Sequence, residues 1–208
     1  NRSRFARLNS DGSLDHNFDI GTGADLVVNA IALQPDGRVV VVGDFAHFNG
    51  APLRGIARLN ADGSIDDSFN PGVGFNDSVR LVEVQEDGRI LVGGFFTEFN
   101  GAVRNRVARL MPDGSLDGSF DVGAGANGSV YSMAVQSDGK ILVGGSFSTF
   151  NNLNRSGIVR LNTDGSVDTG INFGTGAFHL NVDFKGHIEI SSGDIKLNLE
   201  NGVKLSSN

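Results

Sequence analysis

IARLNADGSID, residues 56–66, decides how this chain is read, because it occurs four times. FARLNSDGSLD fills 5–15, VARLMPDGSLD 107–117 and IVRLNTDGSVD 158–168, each 51 residues after the one before. A second stretch keeps the same interval: LQPDGRVVVVGDFAHFNG at 33–50, VQEDGRILVGGFFTEFNG at 84–101 and VQSDGKILVGGSFSTFNN at 135–152. A fixed period without insertions marks one supersecondary building block copied along the chain. Repeats begin near residues 5, 56, 107 and 158, and the last keeps the pattern only as far as Gly176.

Seven of the 30 glycines sit in Asp-Gly pairs that recur at two fixed positions of the repeat, between apolar runs. Such pairs predict tight hairpins, with a type I′ turn as the favoured two-residue connection. The flanking runs read as strands near 28–34, 38–45 and 55–60, with a weaker one near 64–69. Val39 to Val42, Ile90 to Val92 and Ile141 to Val143 are β-rich runs of the kind buried on both faces. No segment sustains a period of 3.6. The expectation is therefore an all-β chain of about four antiparallel strands per repeat, which matches the blade of a β-propeller. Glycine at 30 of 208 residues is about twice the usual ~7%, and the turns explain the excess.

The combined motif R-h-a-R-L-n-x-D-G-S-h-D-x-x-F, then h-x-x-Q-x-D-G-[RK]-h-h-V-G-G-x-F, resembles the delta-60 repeat, a propeller-like family of bacterial and phage proteins. The resemblance covers residues 1–177. It implies the propeller-like fold and an extracellular or virion setting, and it brings no catalytic residues. Three repeats and part of a fourth do not close a ring. Because the chain opens in mid-repeat, preceding repeats are expected, with assembly from several chains as the alternative. Residues 178–208 read differently, as very short alternating strands separated by Lys185-Gly186, Ser192-Gly193 and Asn201-Gly202. They form a last partial blade or an oligomerisation or shaft segment. For the second, GDIKLNLENGVKLSSN at 193–208 resembles the strand-turn segments of trimeric phage tail fibres.

Composition removes several classes. The chain has no cysteine, so disulfide frameworks and thiolate metal sites are excluded. No run of about 18 apolar residues exists to cross a membrane as a helix. Lys+Arg 17 against Asp+Glu 24 gives a net charge of −7, which argues against nucleic acid as a partner.

Arg7, Arg58, Arg109 and Arg160 recur inside otherwise apolar strands, and a buried guanidinium needs a partner. Asp15, Asp66, Asp117 and Asp168, eight residues on, are the expected structural partners, with a ring of arginines facing an anion as the alternative. The N-x-D-G-S-x-D spacing also resembles a calcium loop. It supplies three oxygen side chains where calcium takes six to eight, and the third copy begins with Met111. Turn chemistry is the preferred reading, and no cofactor is expected. The recurrent phenylalanines read as packing between repeats. His16, His47, His179 and His187 have no metal-ligand spacing, and no nucleophile motif or phosphate loop is present.

Recognition is expected where repeats differ: the loop 46–54 with His47, replaced by Glu98 in the next repeat, and the stretch 24–29 with its counterparts containing Asn76 and Asn127. These readings lead to a non-enzymatic structural and recognition segment of a fibre-like assembly, a phage tail fibre or virion appendage concerned with host attachment. Its partners would be further copies of itself, neighbouring fibre or virion proteins, and a cell-surface receptor. Its location would be the virion tail or an extracellular surface. The alternative is a secreted bacterial adhesin or surface-layer protein, and a propeller enzyme acting on polysaccharide ranks third.

Overall fold

The computed structural model describes residues 5–171, 179–182 and 188–191. The chain divides into two compact units, Asn1–Asp117 and Gly118–Asn208. In the first unit, β1 (Val28–Leu33), β2 (Val39–Gly43) and β3 (Ile56–Leu59) form an antiparallel sheet in that order. One period later β4 (Val79–Val84), β5 (Ile90–Gly94) and β8 (Val107–Leu110) repeat it, and β6 (Glu98–Phe99) with β7 (Ala102–Val103) add a small hairpin. The second unit holds the same sheet from β9 (Val130–Val135), β10 (Ile141–Gly145) and β13 (Ile158–Leu161), with the hairpin β11 (Thr149–Phe150) and β12 (Leu153–Asn154). β14 (His179–Val182) and β15 (Ile188–Ser191) pair antiparallel, Leu180 opposite Ile190. The expected boundary at 177 and the alternating stretches beyond 191 lie outside the described residues.

The three-stranded sheet of the first repeat lacks the weaker strand expected near 64–69. The run after the second Asp-Gly turn bridges once, Leu59 to Ile65, and then ends. Asp66 stops it. Its carboxylate accepts hydrogen bonds from the Ser68 amide at 3.0 Å and the Ser68 hydroxyl at 2.6 Å, a local turn that competes with strand extension. The turn type also differs from expectation. In Asn60–Ser64 the Gly63 amide bonds the Asn60 carbonyl at 2.9 Å and the Asn60 amide bonds the Ser64 carbonyl at 2.8 Å. Gly63 has φ +92 while Asp62 keeps a negative φ. This is a three-residue loop, a type I turn closed by a left-handed glycine, not a type I′ turn. The aspartate belongs there because its carboxylate accepts the Ser64 amide at 3.0 Å. Paired positive φ values occur instead at Asn49-Gly50 (51 and 79) and Asn100-Gly101 (51 and 75), at the tips of the F-N-G hairpins.

The middle strand is buried on both faces. Val40, Val42 and Ile56 of the first sheet join Phe75, Val92, Phe96, Phe99 and Leu110 of the next repeat in one cluster. Val39, Val41, Ala57 and Leu59 turn the other way, against Phe18, Ile20, Phe45 and Phe48. Burial of each such side chain contributes about 1.5–3 kcal/mol. The repeat-fixed phenylalanines are therefore packing residues, in edge-on contact at 5.7 Å for Phe45 with Phe48.

Successive repeats also dock through backbone. The Asp19 amide bonds the Asp62 carbonyl at 2.8 Å, and the Asn70 amide bonds that of Asp113 at 2.7 Å. A Cβ on Gly63 would lie 2.8 Å from the Asp19 backbone, whereas its counterpart Gly12 has nothing within 4 Å. Both carry positive φ, so alanine at either is strained by about 1–2 kcal/mol. Gly63→Ala adds a backbone clash, and we expect it to cost about 2 kcal/mol more than Gly12→Ala. Urea denaturation of the two variants measures the difference, and equal losses would show that the turn does not need the close approach.

Candidate recognition site

The recurrent arginines and aspartates meet within each repeat. Arg7 Nε donates to Asp15 at 2.7 Å, Arg58 to Asp66 at 2.7 Å, Arg109 to Asp117 at 2.7 Å and Arg160 to Asp168 at 2.8 Å. A second cation approaches the same carboxylate from the D-G-[RK] turn: Arg38 Nε lies 3.2 Å from Asp66, Arg89 Nε 3.2 Å from Asp117 and Lys140 Nζ 2.9 Å from Asp168. Arg58 and Asp66 are buried. Arg58 also donates to the Pro112 carbonyl and lies 4.8 Å over the Phe69 ring. These residues are engaged in the scaffold and leave no open anion site at the arginine.

The Asp15, Asp66 and Asp168 carboxylates sit low in their range. The Lys140 ammonium is the largest influence on Asp168, and with the Gly170 amide and Arg160 it outweighs burial and holds the group at about 2. Burial pushes Asp66 up, but the Ser68 hydroxyl and amide with Arg58 bring it below 3.8. The Asn17 amide, then Arg7, lower Asp15. In the calcium-like loops the Asp11 carboxylate accepts the Ser13 amide and hydroxyl at 2.9 and 2.6 Å, and Asp15 faces a guanidinium. Met111 replaces the asparagine of the third loop and its backbone still closes on Ser115 at 2.8 Å. Backbone and serine thus satisfy the spacing that resembled an ion loop.

The residues expected to mark recognition loops are placed as follows. His47 Nδ1 lies 3.0 Å from Asp25 on the surface. Asn76 gives its amide to Thr97 Oγ1 at 2.8 Å and accepts the Thr97 and Glu98 amides at 2.9 and 3.0 Å. Asn127 does the same with Ser148 and Thr149. Both asparagines brace their loops from within. Glu98 is exposed at the start of β6.

A different position carries the variation outward. β1 pairs Val28 with Gly43 and Ala30 with Val42, so Asn29 is the extra residue of a β-bulge. Arg80 is the extra residue between Val79 and Leu81, and Tyr131 the one between Val130 and Ser132. A bulge bends the strand and re-aims one side chain. The glycine opposite each bulge permits it: a Cβ on Gly94 would lie 2.3 Å from the Ser78 carbonyl oxygen. Each bulge residue meets a partner that changes with it. Asn29 donates to Asp44 at 2.8 Å, Arg80 stacks 4.6 Å over Phe95, and the Ser146 hydroxyl donates to Tyr131 at 3.4 Å. The stretch 24–29 and its copies were legible as variable; the bulge that singles out their last residue was not, because no residue type there announces it.

Beside the first two bulges, between the first and second repeats, lies an open cavity of about 400 Å³. Arg54, Arg80, Asp44, Asp77, Phe75 and Phe95 line it. Its size falls within the usual range for small-molecule sites.

The family described as "Domain of unknown function (DUF5122) beta-propeller" matches residues 1–18, 34–69, 85–120 and 136–170. No curated protein matches the chain.

Removing Arg58 leaves Asp66 buried beside a single, more distant cation, and we expect Arg58→Ala to lower stability by about 3 kcal/mol. Arg7→Ala, at a largely solvated pair, should cost far less. Chemical denaturation compares them directly. For Asp168 the folded-state value of about 2 lies below the ordinary 3.8, so its contribution is complete above the unfolded value and vanishes as pH falls. Stability should therefore drop between about pH 4 and about pH 2, and Asp168→Asn should flatten that part of the profile. An unchanged slope in the variant would contradict the assignment.

Proposed function

The chain belongs to this β-propeller repeat family, and on that footing we propose that it is a non-enzymatic structural and recognition segment of a fibre-like extracellular assembly, a phage tail fibre or virion appendage engaged in host attachment. One observation carries the recognition part. The backbone, the Arg–Asp pairs and the phenylalanine packing repeat every 51 residues, yet the bulge residues Asn29, Arg80 and Tyr131 differ completely and stand outside the pairing register, Arg80 and Tyr131 exposed and Asn29 half-buried. A scaffold copied faithfully, with one bulge residue per copy that is not, is the arrangement of a repeat protein that varies its binding positions on a constant frame. Several weak contacts carried on one chain add through effective concentration, which suits a cell-surface receptor as partner.

The non-enzymatic reading draws on the state of the polar groups. Asp44, the carboxylate nearest the first bulge, accepts hydrogen bonds from Asn29 and Ser78, so it is oriented as a scaffold acceptor and not as a general base. Further copies of the chain and neighbouring fibre proteins are the other proposed partners. Tail fibres place the segment on the virion exterior.

Retention on host cells tests the reading. The chain should bind intact cells, and Arg80→Ala with Tyr131→Ala should reduce binding at least about tenfold without lowering the melting temperature. Undiminished binding by the double variant would sink the recognition role. Antibody labelling separates the settings: label on phage tails supports the fibre, while label on a bacterial surface free of virions moves the same role to a secreted adhesin.

A further inference from the structure

The cavity between the first two repeats has a chemistry of its own, and its walls are drawn from positions where the repeats disagree. Arg54 corresponds to Asn105 and Ser156, Asp77 to Leu26 and Gly128, and Asp44 to Phe95 and Ser146. Resting on the recognition reading, we propose that this cavity binds a saccharide residue that carries a carboxylate, with the Arg54 and Arg80 guanidiniums holding the acid and the remaining walls holding the ring.

Two cations face the cavity with donors to spare. Among the described residues the Arg54 side chain makes no hydrogen bond or ion pair, and it stands exposed on a backbone that is firmly held. The Arg54 carbonyl accepts the Phe75 amide at 3.2 Å and bridges in parallel to Gly74. A guanidinium free of other partners, anchored at the cavity rim, is available to grip a carboxylate as a two-pronged donor. Arg80 makes a single hydrogen bond, to Asn29 at 3.3 Å, while Phe95 supports its flat face. Its remaining N–H groups stay available to a ligand.

The anions are less free than the cations. One Asp44 oxygen accepts both Asn29 and Ser78, and one Asp77 oxygen accepts the Ser78 amide at 2.6 Å. Each carboxylate keeps its second oxygen as an acceptor for a neutral donor such as a sugar hydroxyl. Phe75 and Phe95 supply apolar wall for the C–H face of a ring. Guanidinium donors, spare carboxylate acceptors and aromatic carbon around about 400 Å³ exceed what a bare carboxylate requires. Together they match a hydroxylated ring that also bears an acid.

Titration of the full chain, followed by amide NMR, tests this with four probes: galacturonic acid, N-acetylneuraminic acid, methyl glucoside and sodium acetate. Saturable shifts at Asp77, Ser78 and Arg80 with either sugar acid are expected, and the tighter of the two identifies the ring type. Arg54→Ala and Arg80→Ala should each weaken binding at least about tenfold, while Arg104→Ala, outside the cavity, should leave it unchanged. No saturable shift, or a shift that Arg54→Ala does not diminish, overturns the proposal. So does methyl glucoside binding as tightly as the acids, which removes the carboxylate, or acetate binding as tightly, which removes the ring. The outcome separates from the recognition reading itself. A chain that is retained on cells but ignores both sugar acids refutes the ligand class alone; one that does neither refutes both.

Discussion

A single guanidinium, Arg7 in one repeat and Arg58 in the next, reaches into the repeat that follows. Arg58 donates Nε to its own Asp66, reaches Ser68 at 3.2 Å, and donates across to the Pro112 carbonyl of the following repeat. Arg7 makes the matching contact with the Ala61 carbonyl at 2.6 Å. A planar, permanently charged fork can serve a carboxylate and a carbonyl in two directions at once, which a lysine cannot. Burial of that charge is tolerable only because both directions are filled. Once the arginine has drawn the next turn in, the glycine at that turn meets the preceding backbone, and the spacing of the repeats follows.

Packing respects the same geometry. The double-faced valine strand places alternate side chains in two clusters, one of which joins the first sheet to the second. The first repeat therefore lends half of its middle strand to the second. Stability in such an array is a sum of internal terms and nearest-neighbour terms, and the arginine contributes to both.

The period, the all-β class and the buried strands were legible because they rest on residue type at fixed spacing. Arginine inside an apolar strand likewise demanded an acid, and Asp66 stood at the one offset the turn allowed. Turn type was harder. Asp62-Gly63 looks like a type I′ pair, but the aspartate carboxylate prefers to cap the Ser64 amide, and that stabilises a negative φ. The Asn49-Gly50 and Asn100-Gly101 pairs, read only as part of a loop, are where both residues take positive φ. The fourth strand was lost to the same competition, at Asp66. The bulges could not be read at all. Nothing in Val28-Asn29-Ala30 says that one residue is extra, because the bulge comes from a glycine on the opposite strand and a carbonyl that fills its missing Cβ. The cavity shared that obscurity, since Arg54 and Arg80 come together only after folding.

The bulge has a consequence for how such a chain changes over generations. A residue in a regular strand answers to two neighbours, and replacing it disturbs a cross-strand pair. Asn29, Arg80 and Tyr131 stand outside the pairing register, so the strand pairing itself does not depend on their identity, although Asn29 also donates to the Val79 carbonyl at 2.9 Å. Duplication of a 51-residue block therefore delivers, with every copy, one site already excused from cross-strand pairing. New chemistry is free to enter there by single substitutions while the copied frame stays intact.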